Sequence, residues 1–155
     1  MKIEFAKRSD VCDILNFIKE LAEYEKLADE VVADEQTLEH WIFDEGKAEV
    51  IFAVEGAERV GFALFFHNFS TFVGRAGLYL EDLFVKPEYR GKGYGKALLH
   101  ELAKIANERG CGRFEWVCLD WNKPSIDFYK SLGAVPMDGW TIYRMDGERL
   151  KEFGK

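Results

Sequence analysis

Glycines at 91, 93 and 95, set among Arg90, Lys92 and Lys96, are the residues of this chain whose type and spacing most plainly invite a ligand. Glycine lets backbone come close to a ligand and tolerates positive φ, so several N–H groups in one short turn can converge on an anion. An apolar run, interrupted by the acidic pair Glu81-Asp82, leads to Val85 before this turn, and an amphipathic pattern starts near Tyr94 after it. A helix beginning there contributes about half a positive charge and unpaired N–H donors, which makes the turn a candidate phosphate or pyrophosphate cradle. Spacing decides which kind. A P-loop needs Gly-x4-Gly-Lys-Ser/Thr, but Gly95-Lys96 is followed by Ala97 and position 90 is arginine; a dinucleotide fingerprint needs glycine where Lys96 or Leu98 stands. What remains is Arg-x-x-Gly-x-Gly, from Arg90 to Gly95. Taken alone, it also fits an ordinary flexible entry to a helix.

A second candidate is acidic. Glu20, Glu23, Glu25, Asp29 and Glu30 are interleaved with Leu21, Tyr24, Lys26 and Leu27. They form either the solvated face of a helix end or an acidic wall for an amine. His40, His67 and His100 have no metal-ligand spacing, and Cys12, Cys111 and Cys118 form no Cys-x-x-Cys pair, so neither a metal site nor a disulfide framework is indicated. The net charge of -7 argues against nucleic-acid binding and favours a cationic partner. No apolar run approaches the ~18 residues of a membrane span, and no signal-peptide core follows Met1-Lys2-Ile3-Glu4, so a cytoplasmic protein with reduced thiols is expected.

The elements that must hold these groups can be read from periodicity. With 155 residues and 48% hydrophobic content the chain reads as one domain, 1–155, with no linker or repeat. Residues 2–7 read as a strand, and a helix capped by Ser9 or Asp10 carries Val11, Ile14, Leu15, Ile18, Leu21 and Ala22 on one stripe. Asp34 caps a short helix with Leu38, Trp41, Ile42 and Phe43. The runs 50–54 and 60–66 flank a turn as a hairpin, a loop covers 68–77, and a strand runs over 78–85. A helix over about 94–109 stops at Gly110, and 114–119 reads as a strand. Asn122 and Pro124 open a helix with Ile126, Phe128, Tyr129 and Leu132 facing inward, and 139–145 reads as a last strand before a charged tail. The order β-α-α-β-β-β-α-β-α-β is mixed α/β, a central sheet carrying helices on both faces.

The Arg90–Gly95 turn and the downstream segment Trp121-Asn122-Lys123-Pro124-Ser125-Ile126-Asp127-Phe128-Tyr129-Lys130-Ser131-Leu132-Gly133-Ala134 together resemble the GNAT superfamily of N-acetyltransferases over nearly the whole chain. Leu21 to Ala28, Tyr79-Leu80-Glu81-Asp82-Leu83 and Asp120-Trp121-Asn122 are similar to the spermidine/spermine acetyltransferases and, more closely, to their thialysine Nε-acetyltransferase relatives. A long insertion between the second helix and the hairpin is missing, and Phe72 stands where the polyamine enzymes tend to carry tryptophan. The resemblance implies the GNAT fold, acetyl-CoA as co-substrate without a metal, a small-molecule amine as acceptor, and a homodimer with no nucleic-acid or membrane partner.

It also implies roles. Leu83, Phe84, Val85, the turn Arg90, Gly91, Lys92, Gly93, Tyr94, Gly95 and Lys96, together with Asn122, Ser125 and Tyr129, would hold acetyl-CoA. Glu23, Tyr24, Glu25, Glu81, Asp82, Asp138 and Trp140 would line the amine pocket. A primary alkylamine has a pKa of about 10.4 and must lose a proton before it attacks a thioester. Glu81, directly or through water, resembles the group that accepts it, and Tyr129 the acid that protonates the departing thiolate. The amide N–H groups of Phe84 and Val85 are the natural donors to the thioester carbonyl. Thialysine or a lysine-like ω-amine leads as substrate, with a polyamine or diamine second; a catalytically silent acetyl-CoA-binding module and a protein acetyltransferase are the readings of other classes.

Overall fold

Two runs rich in β-branched and aromatic residues, separated by Gly56-Ala57, pair as the expected hairpin, β2 (Glu49–Glu55) and β3 (Glu58–Ser70), and the sheet is built outward from it. The computed structural model describes all residues, Met1–Lys155, which form two compact units, Met1–Val117 and Cys118–Lys155. In the first unit β1 (Lys2–Phe5), β2, β3 and β4 (Arg75–Val85) are antiparallel in that order, and β5 (Phe114–Trp116) lies parallel to β4 at the far edge. A parallel step needs a long crossover, and α3 (Tyr94–Glu108) supplies it.

The sheet is covered on both faces. Helix α1 (Val11–Tyr24) places Ile14, Phe17 and Leu21 against Val50, Phe52, Val54, Phe62 and Phe84. Phe17 stacks on Phe62 with ring centroids 5.1 Å apart and meets the edge of Phe84 at 6.4 Å. Gly61, the neighbour of Phe62, points the other way, and a Cβ there would lie 2.9 Å from the Phe84 carbonyl oxygen and 3.4 Å from Leu98 of α3. Only glycine allows that approach. Val50 to Val54 are all buried, as a strand packed on both faces requires.

Several expectations change. The ladder continues through Asn68–Gly77, Phe69–Ala76 and Ser70–Arg75, so the loop read over 68–77 shrinks to 71–74, closed where Val73 N–H donates to Ser70 Oγ at 3.2 Å. Polar residues and glycine disguised a strand that is paired but half solvated. The strand read over 114–119 ends at Trp116. Asp10 stands at the N-terminus of α1 but accepts from Lys7 N–H at 2.7 Å and pairs with Arg59 at 2.8 Å instead of capping the helix. Asp34 does cap α2 (Glu35–Leu38), accepting from Thr37 N–H at 2.8 Å, and the chain runs on as a π-helical turn, Glu39–Asp44.

In the second unit α4 (Lys123–Ser131) begins at Asn122, and α5 (Gly147–Phe153) lies in the charged tail. Residues 139–145 form no strand. Alternation marks a segment that can pair, but a strand needs a partner for its ladder, and here Trp140, Ile142 and Tyr143 stay exposed. Leu132, read as inward, is exposed, while Ile126, Phe128 and Tyr129 are half-buried. No helix is long and apolar enough to cross a membrane.

Candidate active site

The acidic pair that interrupts the apolar run changes the path of β4. Leu64 of β3 pairs with Asp82 and Phe65 with Leu80, so Glu81 has no opposite residue and forms a β-bulge. Because side chains alternate, the extra residue reverses the facing of the positions after it. Leu78 and Leu80 lie on the face of α3, whereas Asp82 and Phe84 lie on the face of α1. The bulge also falls where the sheet opens: β5 pairs with β4 only from Leu78 to Leu80, so the outer edge of β4 from Glu81 to Val85 has no strand beside it. An extended ligand carrying amide groups could add along that edge.

Directly after Val85 comes the cradle. A 3-10 turn, Pro87–Tyr89, leads into Gly91 at φ +75° and Gly93 at φ +89°, and Gly93 is the N-cap of α3. No atom lies within 4 Å of a Cβ built at Gly91 or Gly93, so their backbone angles, rather than crowding, call for glycine. The first turn of α3 holds no acidic residue to repel an anion. The three cations of the motif do not act alike. Arg90 donates from Nε to the Val85 carbonyl at 3.0 Å and stacks its guanidinium over Tyr24 (4.8 Å) and Phe84 (5.1 Å). It straps the end of α1 to the end of β4. Lys92 sits 5.4 Å over the Tyr89 ring, and Lys96 is exposed.

On the α1 side, the structure brings two of the sequence candidates together. Glu25, one residue past α1, is close enough to Glu81 and Asp82 for their charges to act on one another. Burial, then Glu81, then Glu25 push the Asp82 carboxyl up to about 7. Burial and Glu81 raise that of Glu25, and burial, with Glu81 and Glu115 after it, raises the Tyr79 phenol. The base singled out from sequence, Glu81, is exposed at the bulge; Asp82 is the half-buried carboxyl, and the one whose titration burial shifts most. A signal for this was present, since two adjacent acids in an apolar strand cannot both obey its alternation. Glu23 points to solvent and lines a shallow hollow with Lys26, Leu27 and Asp29.

Asn122, Ser125, Tyr129, Asp138 and Trp140 belong to the second unit. Asn122 is buried and accepts from Ser125 N–H at 3.4 Å, as a cap should. Tyr129 is half-buried on α4 with its ring 5.7 Å from that of Phe128. Asp138 and Trp140 are exposed in the irregular stretch before α5. A hollow of about 850 Å³ is lined by Lys2, Asp13, Glu20, Arg59 and Lys86; of the acidic candidates it takes in only Glu20, and Arg59 is already paired with Asp10 and Asp13. No group of three or more His, Cys, Asp or Glu side chains is arranged to hold a metal ion.

Comparison with known proteins agrees with this geometry. The model of the "Acetyltransferase (GNAT) family" matches residues 10–134. A thialysine N-epsilon-acetyltransferase of Sus scrofa is 41% identical over a 162-residue alignment that covers 97% of this chain and 95% of the relative. The spermidine/spermine N(1)-acetyltransferase-like protein 1 of Homo sapiens is 31% identical over 96% of this chain but only 23% of its own length. Among solved structures, an integron cassette protein from the mobile metagenome of V. cholerae superposes with a TM-score of 0.84 at 32% identity, covering 99% of this chain and 97% of that one. The chain belongs to the GNAT acetyltransferase family and is an N-acetyltransferase.

Proposed function

We propose that this chain moves the acetyl group of acetyl-CoA directly to the ω-amine of a small lysine-like amino acid, with thialysine the leading candidate. The observation that carries the reading is the Glu25–Glu81–Asp82 cluster at the β4 bulge, beside the open edge of that strand. Three mutually repelling carboxyls, with no Lys or Arg acting on Asp82, are relieved by an incoming ammonium. The near-full-length similarity to a thialysine acetyltransferase supports the choice of amine.

Acetyl-CoA would supply the acetyl thioester, and the residues present fit it. Gly91 and Gly93 open the backbone of the turn, the N-terminus of α3 faces it without carboxylates, and residues 81–85 offer an unpaired edge. Leu83, Phe84 and Val85 would contact the carrier's amide-bearing arm, with the Val85 N–H donating to the reacting carbonyl; the Phe84 N–H, expected to share that role, points into the ladder opposite Phe62, since the Lys86 N–H two residues on donates to the Val60 carbonyl. Glu81 and Asp82 share the task of taking the amine proton, for which Asp82, at about 7, is the better matched near neutral pH. Tyr129 is assigned the proton for the departing thiolate, Asn122 and Ser125 a contact to the arm, and Asp138 and Trp140 a place at the amine. An amino-acid substrate also needs a cation for its carboxylate, for which Arg75 and Arg144 are the candidates.

The family match runs through both units, which supports a single catalytic module over 1–155. We also assign it a homodimer, a reading supported by the exposed Trp140, Tyr143 and Phe153, and a reducing, cytoplasmic setting, in keeping with no disulfide joining Cys12, Cys111 and Cys118. A polyamine is the second reading. Glu115 acts on Tyr79 and extends the acidic groups beyond Glu81 along the sheet, as a longer cation would need. A competition in one vessel separates the two: acetyl-CoA with equal thialysine, lysine, spermidine and putrescine, products resolved by mass. Acetyl-thialysine should dominate, and predominance of acetyl-spermidine would move the assignment to polyamines.

A further inference from the structure

The β2–β3 hairpin reaches the glycine turn through two carboxylates that take no part in the chemistry of the acidic cluster. Glu55, the last residue of β2, accepts from the Tyr94 phenol at 2.7 Å and pairs with the N-terminal ammonium at 3.4 Å. Glu58, the first residue of β3, accepts from the Tyr89 phenol and lies 3.5 Å from the Lys86 ammonium. Tyr89 and Tyr94 bracket the segment Arg90–Gly93, and their rings meet edge to face at 5.9 Å and 85°. The ammonium of Lys92 rests over the Tyr89 ring at 5.4 Å.

This matters because Arg90 anchors only the first residue of the segment, and its two glycines are not held by packing of their own. Gly91 and Gly93 have positive φ and no neighbour within 4 Å of a would-be Cβ, so no packing at those two positions selects one backbone path from the many that glycine permits. A pre-set turn binds more tightly than one that must be ordered on binding. The hairpin supplies the missing constraint from outside.

We propose that Glu58 and Tyr89 are positioning residues for the acyl-carrier turn: the carboxylate fixes the Tyr89 ring, and the ring face fixes the Lys92 ammonium toward the carrier's pyrophosphate. Glu55 and Tyr94 hold the other end, at the start of α3. The inference rests on the reading of this turn as the acetyl-CoA cradle. The contact is durable across working pH: the bond to Glu58, ahead of its other causes, pushes the Tyr89 phenol up to about 12, and the same bond holds the Glu58 carboxyl below the usual range. Donor and acceptor keep their forms.

The test uses the full chain and acetyl-CoA in calorimetry, with Glu58→Ala, Tyr89→Phe, the double variant and Glu58→Gln. One solvated hydrogen bond implies that each of the first two raises the acetyl-CoA Kd about threefold to tenfold, that the double variant adds nothing further, and that Gln, whose amide oxygen can still accept, restores most of the affinity. Amine KM should be unchanged and Tm nearly so, which a merely structural role would not give. Unchanged Kd in folded Glu58→Ala and Tyr89→Phe overturns the positioning role while leaving the cradle. Failure of the unaltered protein to bind acetyl-CoA overturns the cradle itself, and this inference with it.

Discussion

Replacing Asp82 by asparagine should make the ligand-free protein more stable above neutral pH and leave its stability in acid unchanged. The carboxyl moves from 3.8 to about 7 in the fold, with burial as the first cause and the charges of Glu81 and Glu25 after it. Between those values the folded state holds a proton that the unfolded chain has released, so stability falls as pH rises through the window from about 4 to about 7. At about 1.36 kcal/mol per pH unit the whole penalty is of the order of 4 kcal/mol by pH 8. Asparagine has nearly the same shape and carries no charge, so it escapes the penalty. Urea unfolding of both proteins at pH 4, 6 and 8.5 reads the difference directly: close to zero at pH 4, several kcal/mol in favour of the variant at 8.5. A difference that stays flat with pH would refute the burial-and-repulsion account of Asp82. If Asp82 takes the amine proton as proposed, activity of the unaltered enzyme should show a limb that rises through about pH 7, and the stabilised variant should lose that limb, an exchange of function for stability.

Gly93→Val would force a β-branched residue to φ +89° at the N-cap of α3, a strain of roughly 1–2 kcal/mol, and should weaken acetyl-CoA binding at least tenfold by calorimetry; normal affinity in a folded variant would put the phosphates elsewhere. Tyr129→Phe should lower turnover about a hundredfold with little change in acetyl-CoA affinity, because one hydroxyl is asked to act mainly in the transition state; unchanged turnover removes it from the mechanism. Phe17→Ala takes out a ring stacked on Phe62 and edged on Phe84 and should cost about 3–5 kcal/mol in urea unfolding, whereas a loss below about 1 kcal/mol would deny that this cluster holds α1 to the sheet.

Much of this molecule can be read before it is folded. The glycine turn, α3 with its stop near Gly110, the Asp34 and Asn122 caps and the central hairpin arise from local chemistry, and local chemistry is where sequence speaks most clearly. The features that escaped depended on partners distant in the chain. The length of β3 was hidden because Asn68 and Gly77 look like loop residues until they are seen to pair. The strand expected over 139–145 failed for the converse reason, since its alternation lacks a neighbouring ladder. At the site, the acids were visible but their division of labour was not: a single bulge at Glu81 turns Asp82 to the α1 face, where burial, not residue type, changes its chemistry. Arg90, read as a charge for phosphate, bonds to Val85 and stacks on Tyr24 because the end of α1 arrives beside the turn. Neither Glu55 nor Glu58 has any local mark that would tie it to Tyr94 or Tyr89.

The central claim is that this chain carries the acetyl group from acetyl-CoA to a small ω-amine. Free-thiol release from acetyl-CoA, measured with thialysine, lysine, spermidine, spermine, putrescine, short diamines and an acceptor peptide in turn, tests it most directly. Rapid release with thialysine or a close lysine analogue, and little with the peptide, is the predicted result. Release with none of them while acetyl-CoA still binds tightly would contradict the claim and leave a cofactor-binding module without this chemistry.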